Sequence, residues 1–286
     1  MPDLDNLWDF DDPAGSEQRF RAAIENAVTG GDLARADEAR TQLARALGLQ
    51  GHFDDGHAIL DTVEADRPAD DRVRVRILLE RGRLLRSSGD ATAPATPFEA
   101  AWKLARRIGD DGLAVDAAHM LALVDAPPGE PAWHRRALDL ADRSPEPAAR
   151  RWRGSLWNNI GWARYETGDL DGALAAFETA LAARREQGRP RETRVAEWCV
   201  ARCLRALGRP AEALAIQERL AIETAVAGEP EDGYGAEEIG ECLLAIGRGE
   251  EARPAFARAA ALLGADPWLA EQEPDRIGRL RRLGGG

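Results

Sequence analysis

The chain has 286 residues, 44% of them hydrophobic and 6% aromatic, and a formal net charge of −12 at pH 7. This length can bury a continuous core, and the negative charge argues against nucleic acid as a partner, because phosphate binding needs a concentrated positive field. No apolar run approaches the roughly 20 residues of a membrane span, so we expect no membrane partner either.

The first stretch, MPDLDNLWDFDD, is acidic and has no basic region followed by an apolar one. We therefore expect no signal peptide. Within it, Leu7, Trp8 and Phe10 are too apolar for a free tail, and we predict that they pack on the first helices as an N-terminal cap. The odd, sparse set of three cysteines is consistent with a reducing compartment, which predicts a cytoplasmic protein.

A first helix is predicted to begin after Asp12-Pro13 and to run to about Thr29. The next helix, from Asp32 to Leu47, suits two registers. It could be the second member of a pair with the helix before it, or the first member of a pair with the helix after Gly51. Both registers stay open, because stacked helices tolerate either description.

Five further helix pairs follow in the same frame. They are Arg72 to Ser87 with Thr96 to Arg107, Gly112 to Val124 with Pro131 to Asp142, the two halves of Ser155 to Leu181, Thr193 to Leu207 with Ala211 to Ala225, and Gly235 to Ile246 with Glu251 to Leu262. Loops are expected at Ser144-Pro145-Glu146-Pro147 and Gly188-Arg189-Pro190. A short helix from Asp275 to Leu283 follows Asp266-Pro267-Trp268.

The stretch from Ser155 to Leu181 carries the clearest motif. It consists of two amphipathic helices joined at Gly168-Asp169. Its key residues are Trp157, Ile160, Gly161, Ala173, Phe177 and Ala180. Their spacing resembles the tetratricopeptide repeat, W-x2-L-G followed by A-x3-F and A. One departure is Arg164, where the family has an aromatic residue; Tyr165 follows it.

This resemblance implies an all-α, right-handed superhelical α-solenoid of about six tetratricopeptide-like helix pairs with N- and C-terminal capping helices. The small residues at the Gly161 position recur at Ala44, Gly82, Ala118, Ala201 and Gly240, at intervals longer than the nominal period of about 34 residues. The lengthened repeat is similar to domains of bacterial signalling and regulatory proteins. We expect one solenoid domain over residues 13–263, preceded by an acidic leader or cap (1–12) and followed by a C-terminal cap and frayed glycine tail (264–286).

In the tetratricopeptide family, the first helix of each pair lines the concave surface and carries ligand contacts. Polar and aromatic side chains on these helices therefore predict a peptide-binding groove. The candidate residues are Asn158, Asn159, Trp162, Tyr165, Trp198, Arg202, Arg205, His119 and Arg83. An acidic rim is expected at Glu237, Glu238 and Glu241. The alternative for these residues is structural, with the aromatic rings packed between repeats and the arginines solvated.

The family's clamp for acidic C-terminal tails is not predicted. Asn159 and Arg202 occupy matching positions, but Val115, His119 and Trp198 replace the other three residues. Cys199 and Cys203 could ligate a metal only with a further partner, and buried cysteines are the better interpretation. No nucleophile motif, phosphate loop or dinucleotide pattern is present in the sequence.

The sequence therefore predicts a non-catalytic protein- or peptide-binding scaffold without cofactor or metal. The alternative function is a regulator whose superhelix changes shape on binding a peptide or small ligand. Self-association is left open, because Trp133 and Trp152 could pair two copies into a homodimer or fill gaps between repeats.

Overall fold

The structure is a computed structural model that describes residues 4–66, 70–89, 95–124 and 132–286. Within those ranges the chain is helical and contains no β-strand. Its contacts divide it into two compact units, Met1–Leu156 (unit 1) and Trp157–Gly286 (unit 2). The all-α fold of stacked helix pairs expected from the sequence is confirmed.

A 3₁₀ helix, Leu4–Leu7, precedes sixteen α-helices in the described residues. The first eight are α1 (Pro13–Thr29), α2 (Leu33–Leu49), α3 (Phe53–Asp66), α4 (Asp71–Ser87), α5 (Ala95–Ile108), α6 (Asp111–Val124), α7 (Ala132–Arg143) and α8 (Pro147–Arg150). The others are α9 (Arg153–Glu166), α10 (Leu170–Glu186), α11 (Pro190–Ala206), α12 (Pro210–Val226), α13 (Gly233–Ala245), α14 (Gly249–Leu263), α15 (Pro267–Gln272) and α16 (Pro274–Leu283).

Six helix pairs are formed by α2 with α3, α4 with α5, α6 with α7, α9 with α10, α11 with α12, and α13 with α14. Within each unit, first helices of successive pairs also pack on one another: α2 on α4 and α4 on α6 in unit 1, and α11 on α13 in unit 2. We call the surface that these first helices present the first-helix face. Helix α2 packs on α1 as well as on α3, so both registers considered for this segment correspond to real contacts.

A small residue on the first helix and a large one on the second join the members of a pair. A Cβ atom added at Gly161 would lie 2.5 Å from the Phe177 ring, and a Cβ at Gly82 would lie 2.5 Å from the Phe98 ring. Both rings are buried. The glycines are required because an aromatic ring surrounded by core atoms cannot move aside as a flexible side chain can.

The turn between α9 and α10 shows how the sequence ends one helix and starts the next. Gly168 has φ +82°, which favours glycine because it lacks a Cβ. Asp169 then caps α10, since its side chain accepts a hydrogen bond from the Gly172 N–H at 3.0 Å. The predicted junction at Gly168-Asp169 is therefore a helix stop followed directly by a helix start.

The loop expected at Ser144 to Pro147 runs directly into α8, a short helix that starts at Pro147, where the fixed φ of proline suits the first helical position. The predicted helix start at Pro131 lies outside the described residues. The C-terminal segment forms α15 and α16, and the apolar side chains of Leu269 and Leu280 are buried against the last pairs.

Candidate functional site

Helices α9 and α11 bring three aromatic side chains together in unit 2. The ring centroids of Trp162 lie 5.3 Å from Tyr165 and 6.2 Å from Trp198, and all three rings are half-buried. Trp162 also meets the buried Phe177 ring edge-to-face at 5.1 Å. The cluster therefore joins the core on one side and keeps part of its surface open on the other.

Arg202 lies above this aromatic cluster. Its guanidinium carbon is 5.8 Å from the ring centroids of both Tyr165 and Trp198, within cation–π range. Arg202 also pairs with Glu238. The guanidinium thus contacts a carboxylate and two aromatic rings.

Glu238 also binds Arg205 through two hydrogen bonds, from Nε to Oε2 at 2.8 Å and from Nη2 to Oε1 at 3.0 Å. The Glu238 side chain is 2% exposed, so its charge is stabilised chiefly by these two arginines. Hydrogen bonding to Glu238 raises the pKa of Arg205 above its usual value. Both arginines of the candidate groove are thus already paired with a carboxylate of α13.

The other two expected rim carboxylates are paired as well. Glu237 accepts hydrogen bonds from the Arg276 Nε at 3.1 and 3.2 Å, and Glu241 pairs with Arg279. The rim beside the aromatic cluster is therefore a set of ion pairs. Its negative electrostatic potential is weaker than an unpaired acidic rim, as expected from the sequence, would produce.

The Asn158 carboxamide lies beside the cluster and accepts a hydrogen bond from the Cys199 thiol at 3.3 Å. Burial raises the pKa of that thiol to about 12, so it stays protonated and inert at neutral pH. Asn159 lies next to Asn158 on α9, half-buried and already engaged in an interaction. The amides thus border the rings that Trp162 and Trp198 contribute.

The two remaining candidates, Arg83 and His119, lie in unit 1. Arg83 pairs with the buried Glu80 at 2.6 Å and with Asp116 on α6. Burial disfavours the charge of Arg83, but Asp116 and Glu80 raise the pKa of the guanidinium on balance. Burial also lowers the pKa of His119 to about 4, and the imidazole packs on Trp152 with centroids 5.1 Å apart. It is therefore neutral at pH 7.

Sequence reasoning missed two features of these surfaces. One is the bridge at Glu238, a residue expected on the acidic rim, whose pairing with Arg202 and Arg205 of another helix was not foreseen. The other is Gln42 and Arg45 on α2, which contact the acidic leader. The apolar leader residues predicted a cap on the first helices, but nothing in the sequence indicated which side chains would hold it.

No cluster of metal-ligating side chains occurs within the described ranges. Cys199, Cys203 and Cys242 are all free and buried. Across the part of the chain that the structure covers, no helix is both long and apolar enough to cross a bilayer. Trp133 and Trp152, considered for self-association, pack on Trp102 and His119, with centroid distances of 5.5 and 5.1 Å.

Residues 154–187, which contain most of α9 and all of α10, match the family model of the tetratricopeptide repeat. A search of curated protein sequences finds no match. Among solved structures, BtubC (BKLC) from P. vanneervenii is similar, with a TM-score of 0.56 and 18% identity over 81% of this chain and 95% of that one.

A second similar structure is a signal transduction ATPase with numerous domains from Pyrococcus horikoshii, which has a tetratricopeptide repeat sensor. The TM-score is 0.66 at 11% identity, and the match covers 96% of this chain but only 45% of that protein. At these identities the likeness concerns the fold alone.

Proposed function

We propose that this chain is a non-catalytic scaffold that binds a peptide segment of a protein partner. Its residues 154–187 match the tetratricopeptide repeat, and that fold generally mediates protein–protein interaction. The proposed binding surface is the first-helix face of unit 2. Its residues are Asn158, Asn159, Trp162, Tyr165, Trp198, Arg202 and Arg205.

The aromatic cluster is the observation that carries this proposal. Trp162, Tyr165 and Trp198 are half-buried and pack on the buried core of unit 2, so they offer contact area that is positioned before a ligand arrives. The Trp198 indole Nε1 is buried without a hydrogen-bond partner among the described residues. A backbone carbonyl of a ligand would satisfy this donor, provided that the neighbouring side chains shift slightly.

The ion pairs of Glu238 with Arg202 and Arg205 determine which class of peptide this surface can bind. Because Glu238 already pairs with Arg202 and Arg205, a ligand carboxylate would have to displace a buried carboxylate to bind them. The surface therefore favours a segment bound mainly through aromatic and amide contacts. Its affinity should vary only weakly with salt concentration, since exposed charge contributes little.

A peptide-display selection tests the proposal. Peptides selected on the wild-type chain are measured again on a Tyr165→Ala/Trp198→Ala variant, with Trp268→Ala as the control because Trp268 is 64% exposed and lies outside the cluster. We expect at least a tenfold rise in Kd for the double variant, about 1.4 kcal/mol, and no change for the control, with helical circular dichroism retained in both. Equal affinity for all three proteins would refute this binding surface.

A second candidate is a regulatory protein that responds to a peptide ligand, and two observations favour it. One is the similarity to a protein whose tetratricopeptide repeat domain is described as a sensor. The other is that a segment of this chain occupies the first-helix face of unit 1, where an incoming ligand would have to displace it. Small-angle scattering with and without a selected peptide tests this candidate, and an unchanged radius of gyration at saturation would count against it.

A further inference from the structure

The acidic residues 4–12, LDNLWDFDD, which we call the leader segment, contact unit 1 in a way that resembles a bound peptide. The Trp8 indole Nε1 donates a hydrogen bond to the Gln42 side-chain oxygen at 3.1 Å. The Arg45 guanidinium carbon lies 5.3 Å from the Trp8 ring centroid and 5.2 Å from that of Phe10. Two side chains of α2 therefore hold the aromatic part of this segment.

Side chains of α1 hold its backbone. The Ser16 hydroxyl accepts from the Asp9 N–H and donates to the Asp9 carbonyl, both at 2.8 Å. Arg19 Nε donates to the Leu7 carbonyl, also at 2.8 Å. These hydrogen bonds are made to backbone groups. Any peptide in the same conformation has the same groups, so the hydrogen bonds are not specific to this segment.

The position of these contacts indicates that the segment lies on the first-helix face. Gln42 and Arg45 stand two residues before and one residue after Ala44, the small residue of the first pair. Asn159 and Trp162 stand in the same relation to Gly161 in unit 2. The leader segment thus covers, in unit 1, the positions that form the candidate binding surface in unit 2.

Charge and burial show which contacts anchor the segment. Asp5 forms an ion pair with Arg151 at 2.9 Å, and the two side chains remain 44% and 46% exposed. Phe10 is 57% exposed, whereas Leu4 is buried. One or two buried apolar anchors with an exposed, weakly bound remainder is the usual pattern of a short peptide in a docking site.

We propose that the first-helix face of unit 1 is a docking site for an acidic segment of a partner protein that carries a tryptophan and a second aromatic residue. The leader segment occupies this site as an internal competitor. Arg19, Arg45 and Arg151 supply the complementary charge, Gln42 orients the indole, and Ser16 holds the peptide backbone. This site is independent of the surface proposed in unit 2.

Because the competitor is tethered, its effective concentration is on the order of millimolar, and it should weaken the apparent affinity of the site for a free peptide. The test uses a fluorescein-labelled synthetic peptide with the sequence of residues 4–12 and measures its anisotropy with the full chain. We expect the Trp8→Ser variant to bind this peptide at least tenfold more tightly than the wild type. Adding Arg45→Gln to that variant should abolish the gain.

Equal affinity of the wild type and a folded Trp8→Ser variant would overturn the proposal, as would a gain that survives Arg45→Gln. If Trp8→Ser unfolds, the wild type provides a second measurement. The unlabelled peptide, at several millimolar to match the tethered competitor, should displace the leader segment and speed hydrogen exchange at the Asp9 amide at least twofold. Unchanged exchange would show that the segment is a fixed cap and that no docking site exists there.

Discussion

The first-helix faces of the two units place an arginine over aromatic rings in different ways. In unit 1, Arg45 lies over Trp8 and Phe10, which come from the leader segment. In unit 2, Arg202 lies over Tyr165 and Trp198, which belong to the first helices themselves. The two guanidinium groups occupy the same position, one residue after the small residue of their pair.

This difference shows that first helices at equivalent positions can either carry the aromatic side chains themselves or bind aromatic side chains of another segment. Where α9 and α11 carry tryptophan and tyrosine, the ring cluster is built into the scaffold and rests on Phe177. On α2 the equivalent surface carries Gln42, a hydrogen-bond acceptor, and Arg45, a cation. The aromatic rings that they contact belong to another segment, the leader segment. The backbone sets the positions, and the side chains there decide which role each unit takes.

The largest expected effect comes from removing the ring that supports the unit 2 cluster. Phe177→Ala should cost about 3–5 kcal/mol in the free energy of unfolding, because it leaves a cavity in a close-packed core. Phe98→Ala is the matched change in unit 1, because Phe98 is also fully buried. The residue that follows the small Gly82 there is Arg83, whereas Trp162 follows Gly161, so Phe98 lacks the tryptophan that Phe177 contacts. Urea unfolding followed by far-ultraviolet circular dichroism measures both.

A double-mutant cycle sharpens this comparison. The Phe177–Trp162 pair should show a coupling of about 0.5–1.5 kcal/mol, as edge-to-face aromatic pairs do. Zero coupling would mean that the cluster is not supported by the core in the way its geometry indicates.

The next largest effect is a dependence of the free energy of unfolding on pH, which we assign to His119 in unit 1. His119 and Trp162 occupy the same repeat position, but only His119 titrates. Because burial lowers the pKa of His119 from 6.5 to about 4, the unfolded chain binds more protons than the folded one between those values. Stability should therefore fall by roughly 2–3 kcal/mol as the pH falls from 7 to 4.

The His119→Phe variant should remove this part of the pH dependence while keeping a ring against Trp152. Asp116 and Arg83 face His119 and remain in the variant, so any loss of stability from protonating Asp116 will persist at lower pH. The measurement is the free energy of unfolding at closely spaced pH values. A wild-type slope that matches the variant between pH 6.5 and 4 would contradict the assignment to His119.

The smallest expected effect is a gain in stability. Gln217 stands where Phe177 and Phe98 stand in their pairs, and it is 2% exposed. Neither polar atom of its amide has a hydrogen-bond partner among the described residues. Gln217→Leu should raise the free energy of unfolding by about 1–2 kcal/mol, because it removes the cost of burying an unpaired amide.

Gln50→Leu is the matched control in unit 1. The Gln50 amide donates to Glu17 at 2.8 Å and to the Ala46 carbonyl at 3.1 Å, so the same substitution there should lower stability. Thermal unfolding of both variants provides the comparison. A fall in stability for Gln217→Leu would indicate that its amide is satisfied by water.

Helix periodicity and small–large spacing were sufficient to predict the helix pairs. Gly161 and Phe177 were identified from a spacing that resembles the tetratricopeptide motif, and the structure shows the ring against the glycine. This worked because packing within a pair depends on residues close in sequence, whose relative position follows from helix geometry. The same reasoning missed α8, since a helix this short has too few residues to show a periodic pattern.

The candidate site was only partly predictable. Trp162, Tyr165 and Trp198 could be placed on one face because each lies at a regular helical position. The partners of the arginines could not, because Glu238 and Asp116 lie on neighbouring repeats and look like ordinary surface charges in the sequence. An ion pair between repeats depends on the distance between helices, which periodicity does not specify.

The amino-acid sequence by itself determined that this protein is a set of stacked helix pairs with aromatic side chains on the first helices. Only the tertiary structure decided which charges are neutralised and that Trp8 of the leader segment lies on Gln42 and Arg45. The physical reason is the range of the interactions. Helix formation and pair packing are local, whereas ion pairs and segment docking join residues that only the fold brings together.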